Sequence, residues 1–484
     1  MNHPPVAIGI DVGTQTVRVL AVTPEGKIAA AITHPIAQSV PTQPGHHEQQ
    51  PESWWQATFA GLQQVCQHLP PGTKVAGIAI DGTSGTLLAL DKAGEPLGPA
   101  IMYNDNRSAA HVPQVRQASQ ALEATLGYAF ASSFTLPKII WLKQEKPTLF
   151  ARTHTFAHPT DFIVGRLTGQ YCLTDSNNAF KTGYDLLNGC WPDFISTELG
   201  IPMAQLPTVV SPGTAIAPLT RSVAEAIGLP PSTLVYAGTT DSIAAHLATG
   251  AIEPGQWTTT LGTTLVIKGV SEKLLLDPQH RLYCHHLAGV GWLPGGASNT
   301  GAEWVAREHR REHLSELTQR ATSRLPTSLL RYPLMRQGER FPWQNPTATG
   351  FVVGQARDDV DLFAAGLEGV GFVERRAYEL MAQLGGVICN PIYVAGGAAQ
   401  SDVWLKVRAS ILGRPVARPH ITESALGAAL LVASQCWYGS IAAASQALVK
   451  IDTLIEPDPA WQTIYAERYS LFLDELAHRV LAAD

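Results

Sequence analysis

Residues 6–36 read VAIGIDV GTQT VRVLAVT PEGK IAAAITHPI, three apolar runs separated by two short polar segments. The runs are rich in Val, Ile and Ala, and Pro24 and Gly26 stand where a tight turn would join the second run to the third. The stretch therefore predicts a three-stranded antiparallel β-meander at the amino end of the chain.

Helical and strand patterns alternate after this meander. A helix is predicted from about Pro51, then strands in VAGIAID (75–81) and TLLALD (86–91), then helical segments such as LPKIIWLKQE (136–145). A further strand ends at Gly238, and a helix begins near Asp241. Strands that alternate with helices indicate an α/β fold.

The first turn has a counterpart near the middle of the chain. DVGTQTV (11–17) and TLGTTLV (260–266) both place a Gly-Thr turn between two strands, and the second opens another meander. We interpret this as a weak internal duplication, which predicts two similar domains, 1–250 and 251–484. In the second half we expect a long helix over about 361–384, a strand in PIYVAGG (391–397), a helix from Ser401 and a terminal helix over about 459–482.

The composition excludes several classes of partner. The 484 residues carry a net charge of −6 without any Lys/Arg block, so neither nucleic acid nor an anionic membrane surface is an expected partner. Charged residues are 15% of the chain, against about 25% in ordinary proteins. A phosphate ligand would therefore be bound largely without cationic side chains.

Cysteine usage and the apolar stretches bear on the cellular compartment. The six cysteines form no Cys-x-x-Cys pair, which favours reduced thiols in the cytoplasm over disulfides or metal knuckles. The amino end lacks the basic and apolar regions of a secretory signal. The uncharged stretch 424–449 is long enough to cross a bilayer, but its polar residues and Gly439 favour two buried helices.

The Gly-Thr turns are candidate phosphate sites. Backbone N–H groups at Gly13, Thr14 and Gln15 and the Thr14 hydroxyl could hold a terminal phosphate, and Asp11 on the adjoining strand could hold Mg²⁺ through water. The alternative is an ordinary hairpin in which Gly13 supplies a positive φ. Because Gly262 and Thr263 repeat the pattern, two turns could bind one polyphosphate, one turn from each domain.

A third glycine cluster occupies residues 394–401 (VAGGAAQS), between an apolar strand and a helix. Small residues there would let a planar ligand lie against the backbone. The spacing is not Gly-x-Gly-x-x-Gly, so a nicotinamide enzyme is disfavoured. A tight strand-to-helix turn without a ligand is the alternative.

Short polar side chains at strand ends are candidate catalytic and substrate groups. Asp241 could serve as a general base for a substrate hydroxyl, or be a plain helix N-cap. Other residues at strand ends suit a polyhydroxylated ligand, or else Asx and Ser turns: Asp81, Thr83, Ser84, Asn104 and Asp105. His309 and His313 are four residues apart, but without a third ligand they do not predict zinc.

Taken together, these segments resemble the FGGY carbohydrate kinases, which belong to the actin, hexokinase and heat-shock ATPase fold group. The similar stretches run in order from about residue 6 to about residue 435: GIDVGTQTVR (9–18), PGHHEQQPESWW (44–55), SFTLPKIIWLKQE (133–145, with Lys138 and Trp141), AGTTDSIAAHLATGAIEPG (237–255), AGLEGVGFVERRAYE (365–379) and GGAAQSDVWLKVRASILGRPV (396–416). Several distant motifs in the right order are far more specific than any one of them.

The resemblance implies two ribonuclease-H-like domains flanking a catalytic cleft, with sugar held mainly by the first and ATP mainly by the second. Asp241 would be the base, Asp11 the carboxylate associated with Mg²⁺ and substrate, and Asp105 a sugar ligand beside Thr83 and Ser84. The residues that would contact the nucleotide are Gly13, Thr14, Gln15, Gly262, Thr263, Gly301, Gly396, Gly397, Ala398 and Ser401.

The resemblance also bears on the substrate. Xylulokinases usually carry Gly-Gln-Met-His-Gly where this chain has Gly82-Thr83-Ser84-Gly85, and the Arg-Glu pair of glycerol kinases is missing. Asp81-Gly82-Thr83-Ser84 is more similar to the Asp-x-Thr-Cys or Asp-x-Thr-Ser segment of ribulokinases. We therefore expect a pentulose kinase, first for D-ribulose, with D-xylulose or another polyol as the alternative.

A non-catalytic sugar or nucleotide sensor of the same fold is a further alternative. Such a protein would have lost the base or one Gly-Thr turn, whereas Asp241, Asp11, Thr14 and Thr263 are all present. A monomer or homodimer that binds only a small sugar and ATP is the expected assembly.

Overall fold

The computed structural model describes residues 3–37, 41 and 43–481. They divide into two compact units. The first consists of the chain up to Ile252, residues 285–291 and residues 423–450. The second consists of Glu253–Cys284, Trp292–Thr422 and the chain from Ile451 onward.

The described residues form strands and helices throughout the chain. The strands are β1 (Val6–Val12), β2 (Thr16–Val22), β3 (Ile28–Pro35), β4 (Glu48–Gln49), β5 (Val75–Gly82), β6 (Leu88–Leu90), β7 (Ala100–Ile101), β8 (Thr155–Ala157), β9 (Leu173–Asp175), β10 (Thr208–Val210), β11 (Ala215–Pro218), β12 (Leu234–Thr240), β13 (Trp257–Leu261), β14 (Leu265–Gly269), β15 (Tyr283–Leu287), β16 (Gly291–Ser298), β17 (Leu330–Tyr332), β18 (Phe351–Val353), β19 (Ile392–Ala395), β20 (Val416–Pro419) and β21 (Ile451–Ile455). The α-helices are α1 (Pro51–His68), α2 (Val112–Ala118), α3 (Gln120–Leu126), α4 (Thr135–Glu145), α5 (Pro147–Arg152), α6 (Pro159–Thr168), α7 (Ser176–Phe180), α8 (Phe194–Thr197), α9 (Arg221–Ile227), α10 (Asp241–Ala248), α11 (Glu303–Glu308), α12 (Leu314–Thr322), α13 (Asp359–Gln383), α14 (Asp402–Leu412), α15 (Ser424–Ala433), α16 (Ile441–Leu448) and α17 (Pro459–Leu476).

The first unit is built on a six-stranded sheet with the order β11-β12-β5-β1-β2-β3. The predicted meander is confirmed, because β1, β2 and β3 pair in sequence and antiparallel. β5 then pairs parallel to β1, and β12 pairs parallel to β5. Strand β1 is almost fully buried and supplies Val6, Ile8 and Ile10 to the core. The carboxyl ends of three parallel strands therefore meet at one edge of this sheet.

The second unit repeats this strand pattern. β13, β14 and β16 pair antiparallel in that order, β19 and β20 extend the sheet parallel to β13, and β21 is antiparallel at the far edge. The long helix α13 packs its apolar side chains, among them Phe363 and Leu367, into the core of this unit. The repeat predicted from the two Gly-Thr turns is thus present in the topology, and each turn joins the first two strands of a meander.

Two segments within the predicted domain 251–484, residues 285–291 and 423–450, belong instead to the first unit, which departs from the predicted division 1–250 and 251–484. Residues 423–450 belong to the first unit, where α15 packs on β1 and α10. The helix lies very close to the sheet, because a Cβ at Gly9 would overlap the Ala425 carbonyl oxygen. No local pattern indicates this return, because the contact joins residues more than 400 positions apart.

The apolar stretch 424–449 forms the two predicted helices. All of α15 from Ala425 onward is buried, a π-helical turn extends it to Tyr438, and Gly439 with φ 73° separates it from α16. Within the described residues, no single helix is long and apolar enough to span a membrane, and only this pair, bent by 109°, passes by length and composition. The terminal helix ends its α-helical part at Leu476, and Ala482 lies outside the described residues.

Candidate active site

Three carboxylates lie at the carboxyl ends of neighbouring parallel strands in the first unit. Asp11 on β1 is in register with Asp81 on β5, and Asp81 is in register with Thr239 on β12, two residues before Asp241. The order of the sheet therefore brings together side chains that are 70 and 160 residues apart in sequence. This is the edge at which open α/β sheets bind ligands.

Asp81 is the deepest of the three. Its side chain is fully buried, and neither carboxylate oxygen has a hydrogen-bond partner at ordinary distance among the described residues. Burial raises the pKa of Asp81 well above its usual range, and the negative charges of Asp11 and Asp241 raise it further. Burial also raises the pKa of Asp11, which the Ser424 hydroxyl opposes. Such a carboxylate cluster favours a proton or a cation.

Asp241 begins helix α10. Thr240 is the N-cap residue, with extended backbone, and Asp241 is the first helical residue. Its Oδ1 accepts a hydrogen bond from the Ser242 backbone N–H at 2.6 Å. The plain N-cap alternative for Asp241 is therefore wrong.

The first Gly-Thr turn closes the β1–β2 hairpin. The Gly13 N–H donates to the Thr16 carbonyl at 3.0 Å, and the Gln49 amide donates to the Thr14 carbonyl at 2.6 Å. Gly13 is not among the glycines with positive φ, so the alternative that it supplies one is wrong. Gln15 is exposed at the tip.

Thr83 and Ser84 lie in the turn that follows β5. The Thr83 and Thr86 hydroxyls are buried and 2.9 Å apart. The Ser84 hydroxyl oxygen is also buried but has no hydrogen-bond partner among the described residues. An unsatisfied buried hydroxyl is costly, and a ligand hydroxyl could satisfy it.

Both carboxylate oxygens of Asp105 accept hydrogen bonds from other residues of the chain. Its carboxylate accepts two bonds from the Arg107 guanidinium, at 2.9 and 2.8 Å, and one from the His47 backbone N–H at 2.6 Å. These bonds with Arg107 and His47 hold the pKa of Asp105 below its usual value, against the effect of burial. A sugar hydroxyl would have to share these oxygens with Arg107.

The second Gly-Thr turn lies between β13 and β14 in the second unit. The Gly262 N–H donates to Thr264 at 3.1 Å, and the Gly262 carbonyl accepts from Ala302 at 2.8 Å. Gly262 has no positive φ, and a Cβ there would meet nothing within 4 Å. Gly301 is buried against the backbone of Thr263 and Thr264, which a Cβ would overlap. The chain leaves open space at Gly262 and close packing at Gly301.

A cavity of about 550 Å³ adjoins this turn. Of the predicted nucleotide residues in the second unit, Gly262, Thr263, Gly397, Ala398 and Ser401 line it, whereas Gly301 and Gly396 do not. The rest of the lining is mostly apolar: Leu261, Ala302, Glu303, Val305, Ala306, His309, Arg311, Leu314, Thr318, Phe363, Leu367 and Trp404. Sequence reasoning missed these residues, because α11, α12 and α13 contribute them through packing.

The glycine cluster at 396–401 forms a strand-to-helix turn and part of the cavity wall, and the ligand interpretation stays a prediction. Gly396 has φ 87°, and a Cβ would come within 2.5 Å of the Leu261 carbonyl oxygen, so it serves the strand-to-helix turn. Gly397 is exposed, with nothing within 4 Å of a Cβ, and faces the cavity. Ser401 caps α14 by accepting from the Trp404 N–H.

Glu339 is a buried residue that no sequence pattern singled out. Its carboxylate accepts from the Ser298 hydroxyl at 2.8 Å, the Thr300 hydroxyl at 2.8 Å and the Asn299 backbone N–H at 2.6 Å. It therefore fixes the segment 298–300, and the next residue, Gly301, packs on the second Gly-Thr turn.

Comparison with known proteins agrees with this architecture. The N-terminal domain model of the FGGY family of carbohydrate kinases matches residues 6–248, and the C-terminal domain model matches 258–436. A xylulose kinase of Streptomyces coelicolor is 30% identical, covering 88% of this chain and 87% of that protein. One of Staphylococcus epidermidis is 27% identical, covering 96% and 95%. The crystal structure of xylulose kinase from Rhodospirillum rubrum aligns with a TM-score of 0.88 at 26% identity, covering 98% of each chain.

The chain belongs to the FGGY family of carbohydrate kinases. It is an ATP-dependent carbohydrate kinase, and its small-molecule substrates are a sugar and ATP. The predicted two-domain α/β fold is confirmed.

Proposed function

We propose that this kinase transfers the terminal phosphoryl group of ATP to the terminal hydroxyl of a pentulose, first of all D-ribulose, to give D-ribulose 5-phosphate. The observation that carries the proposal is the carboxylate cluster Asp11, Asp81 and Asp241 beside a turn with short hydroxyl side chains, Thr83 and Ser84. Short polar groups suit a neutral, polyhydroxylated ligand, and the unsatisfied Ser84 hydroxyl is available to one.

Two pentuloses compete as the preferred substrate. The segment Asp81-Gly82-Thr83-Ser84 supports D-ribulose through its similarity to ribulokinases. The comparisons by themselves fit the alternative, D-xylulose, better than D-ribulose, since the matched proteins of S. coelicolor and S. epidermidis are xylulose kinases. We still rank D-ribulose first because the Met-His pair of xylulokinases is missing from the segment Gly82-Thr83-Ser84-Gly85.

In the proposed mechanism Asp241 is the general base. It would accept the proton of the substrate hydroxyl as that oxygen attacks phosphorus, which contributes about a hundred- to ten-thousandfold to the rate. Holding the two reactants in line can contribute up to about 7–11 kcal/mol. The side chains of the first unit would orient the sugar hydroxyls for that attack.

The carboxylates suit a Mg²⁺ ion. Mg²⁺ is commonly held by one or two carboxylates together with substrate phosphates. Asp11 and Asp81 lie in register on neighbouring strands, and both carboxylate oxygens of Asp81 are buried without a hydrogen-bond partner at ordinary distance among the described residues, so the pair fits that requirement. Asp11 would hold the ion, which when bound neutralises charge on the phosphates.

The second unit would bind the nucleotide. The base and ribose would occupy the cavity beside Gly397, Ala398 and Ser401, and the open backbone at Gly262 and Thr263 would accept phosphate oxygens. In the first unit, Gly13, Thr14 and Gln15 would contribute in the same way. The Gly13 and Gly262 N–H groups donate within their own turns, so the other backbone N–H groups of the two turns would replace the cationic side chains in which the chain is poor.

The substrate proposal is tested with purified protein in a coupled assay for ADP release. D-ribulose, D-xylulose, L-ribulose, a hexulose, glycerol and gluconate are compared by kcat/KM. The highest value with D-ribulose is expected. The highest value with D-xylulose would instead support the second candidate, and a preference for glycerol, gluconate or the hexulose would overturn the pentulose proposal.

A cytoplasmic location and a monomeric or homodimeric state are parts of the same proposal. All six cysteines are free thiols in the structure, which is compatible with a reducing compartment.

A further inference from the structure

Lys138 is a buried charged group that the proposed mechanism does not use. It lies in helix α4, and its side chain is fully buried in the first unit. Lysine is almost never fully buried unless it is paired, because removing an ammonium from water is costly. Its Nζ donates to a neutral acceptor, the Gly85 carbonyl oxygen, at 2.7 Å. Because burying this ammonium group is energetically costly, its contacts indicate a specific role.

The bond from Lys138 reaches the turn that carries the candidate sugar residues. We define the 83–86 loop as Thr83, Ser84, Gly85 and Thr86, the link between β5 and β6. Gly85 has φ 79°, and a Cβ there would overlap the Ser133 carbonyl oxygen. The loop therefore packs directly against the chain that leads into α4, and the hydrogen bond from Lys138 ties the loop to that helix.

A second buried group holds the other end of the same loop. The His158 ring lies 3.1 Å from the Thr86 carbonyl oxygen through Nδ1, and since a carbonyl can only accept, Nδ1 is the donor. The Thr182 hydroxyl lies 3.4 Å from Nε2, which fits the same tautomer. Two side chains from different helical segments thus fix two successive carbonyls of one four-residue loop.

We propose that Lys138 is a positioning residue for sugar recognition, because its ammonium, together with His158, fixes the backbone of the 83–86 loop and so the directions of the Thr83 and Ser84 hydroxyls. The inference rests on the proposed function, in which those hydroxyls meet the sugar. Lys138 itself would not touch the substrate. Its effect would reach the sugar through Gly85, the neighbour of Ser84.

The test compares Lys138→Met with a matched control from the same helix. Lys143 also donates to a backbone carbonyl at 2.7 Å, but to that of Leu199, which is not part of the 83–86 loop, so Lys143→Met removes a similar bond and leaves the bonds to the loop in place. Methionine keeps most of the length and the apolar stem of lysine and removes the ammonium, that is, the hydrogen-bond donor together with its charge.

We expect Lys138→Met to raise the KM for the pentulose about tenfold or more, since small displacements of positioning groups can cost up to about a hundredfold. The KM for ATP should stay within about twofold, and Lys143→Met should leave both values unchanged. An unchanged pentulose KM in Lys138→Met would overturn the inference. Equal rises in both KM values would also overturn it, because they would indicate a general structural defect.

Hydrogen–deuterium exchange provides a readout that does not depend on turnover. In Lys138→Met, peptides covering residues 83–87 should exchange faster than in the wild type, while peptides from β1 and β12 should not. If the wild type phosphorylated no pentulose, the proposed function would fail, yet the exchange data would still decide whether Lys138 fixes the loop. Unchanged exchange at residues 83–87 would refute that role.

Discussion

Lys138→Met should change the stability of the first unit in a direction that depends on pH. Burial lowers the pKa of Lys138 from 10.5 to about 7, with Asp105 opposing the shift and Arg107 adding to it. A lysine whose pKa is lowered by folding destabilises the folded state wherever it is charged. This reduction in the free energy of unfolding is complete below pH 7 and disappears as the pH rises from 7 to 10.5.

The magnitude follows from this pKa difference. A lowering from 10.5 to about 7 corresponds to a cost of about 5 kcal/mol at pH 6. The variant also leaves the Gly85 carbonyl without its partner, which costs about 1–3 kcal/mol at any pH. Lys138→Met should therefore be more stable than the wild type by about 2–4 kcal/mol at pH 6, and less stable by about 1–3 kcal/mol at pH 10.5.

The neighbouring groups should not titrate across this range. Burial lowers the pKa of His158 to about 4, and the bonds with Arg107 and His47 hold the pKa of Asp105 below its usual value, so His158 stays neutral and Asp105 charged. The free energy of unfolding is measured in urea at pH 6, 8 and 10, with hydrogen exchange of β1 and β5 peptides to report on the first unit alone. A difference between wild type and variant that is constant from pH 6 to pH 10 would refute the reasoning.

Four further predictions concern the candidate site. Asp241→Asn should lower kcat by about a hundred- to ten-thousandfold, whereas ATP binding, measured by calorimetry, should persist. Near-normal turnover would exclude Asp241 as the base. Asp81→Asn should raise the free energy of unfolding at pH 7 by at least about 1 kcal/mol, because the pKa of Asp81 is raised on folding. The gain should vanish below pH 4, where the carboxyl is neutral in both the folded and the unfolded state. No gain in a urea titration at pH 7 would contradict this prediction. Gly262→Ala should raise the KM for ATP about tenfold or more without shifting the melting temperature, because the methyl group enters open space where phosphate would lie. Gly98→Ala is the control, since a Cβ there would meet only Leu149, at an ordinary contact distance of 3.8 Å. A lower melting temperature of Gly262→Ala would count against an empty ligand site. Glu339→Gln should lower the free energy of unfolding by about 1–3 kcal/mol, and it should raise the KM for ATP but not for the sugar. Equal changes in both KM values would show that Glu339 does not support the nucleotide site specifically.

The sequence predicted those parts of the site that local chemistry dictates. Gly262 and Thr263 could be found because a Gly-Thr pair between two strands is visible in a few residues, and Asp241 because it follows a strand at a helix start. The roles of Asp241 as base and Asp105 as sugar ligand stay predictions, and the contacts of Asp105 with Arg107 and His47 show how much of such a role depends on partners that sequence does not reveal.

The contacts that escaped prediction depend on long-range packing. Glu339 meets Ser298 and Thr300 from about 40 positions away, and Lys138 meets Gly85 from 53 positions away. Glu339 carries no local pattern that distinguishes it from a surface charge, and the family-like stretch that contains Lys138 does not show what its side chain contacts. Only the folded chain shows that both are buried and which backbone groups they hold.

By itself, the sequence determined the α/β class, the two meanders with their Gly-Thr turns and the family resemblance, because these depend on the order and spacing of residue types. The tertiary structure decided that residues 423–450 return to the first unit, that Asp11, Asp81 and Asp241 share one sheet edge, and which side chains enclose the cavity of the second unit. The physical reason is that strand pairing and burial set these distances, and both join residues tens to hundreds of positions apart. A charge-poor chain can therefore build a site for a charged nucleotide from backbone groups and a few buried carboxylates, which composition alone does not reveal.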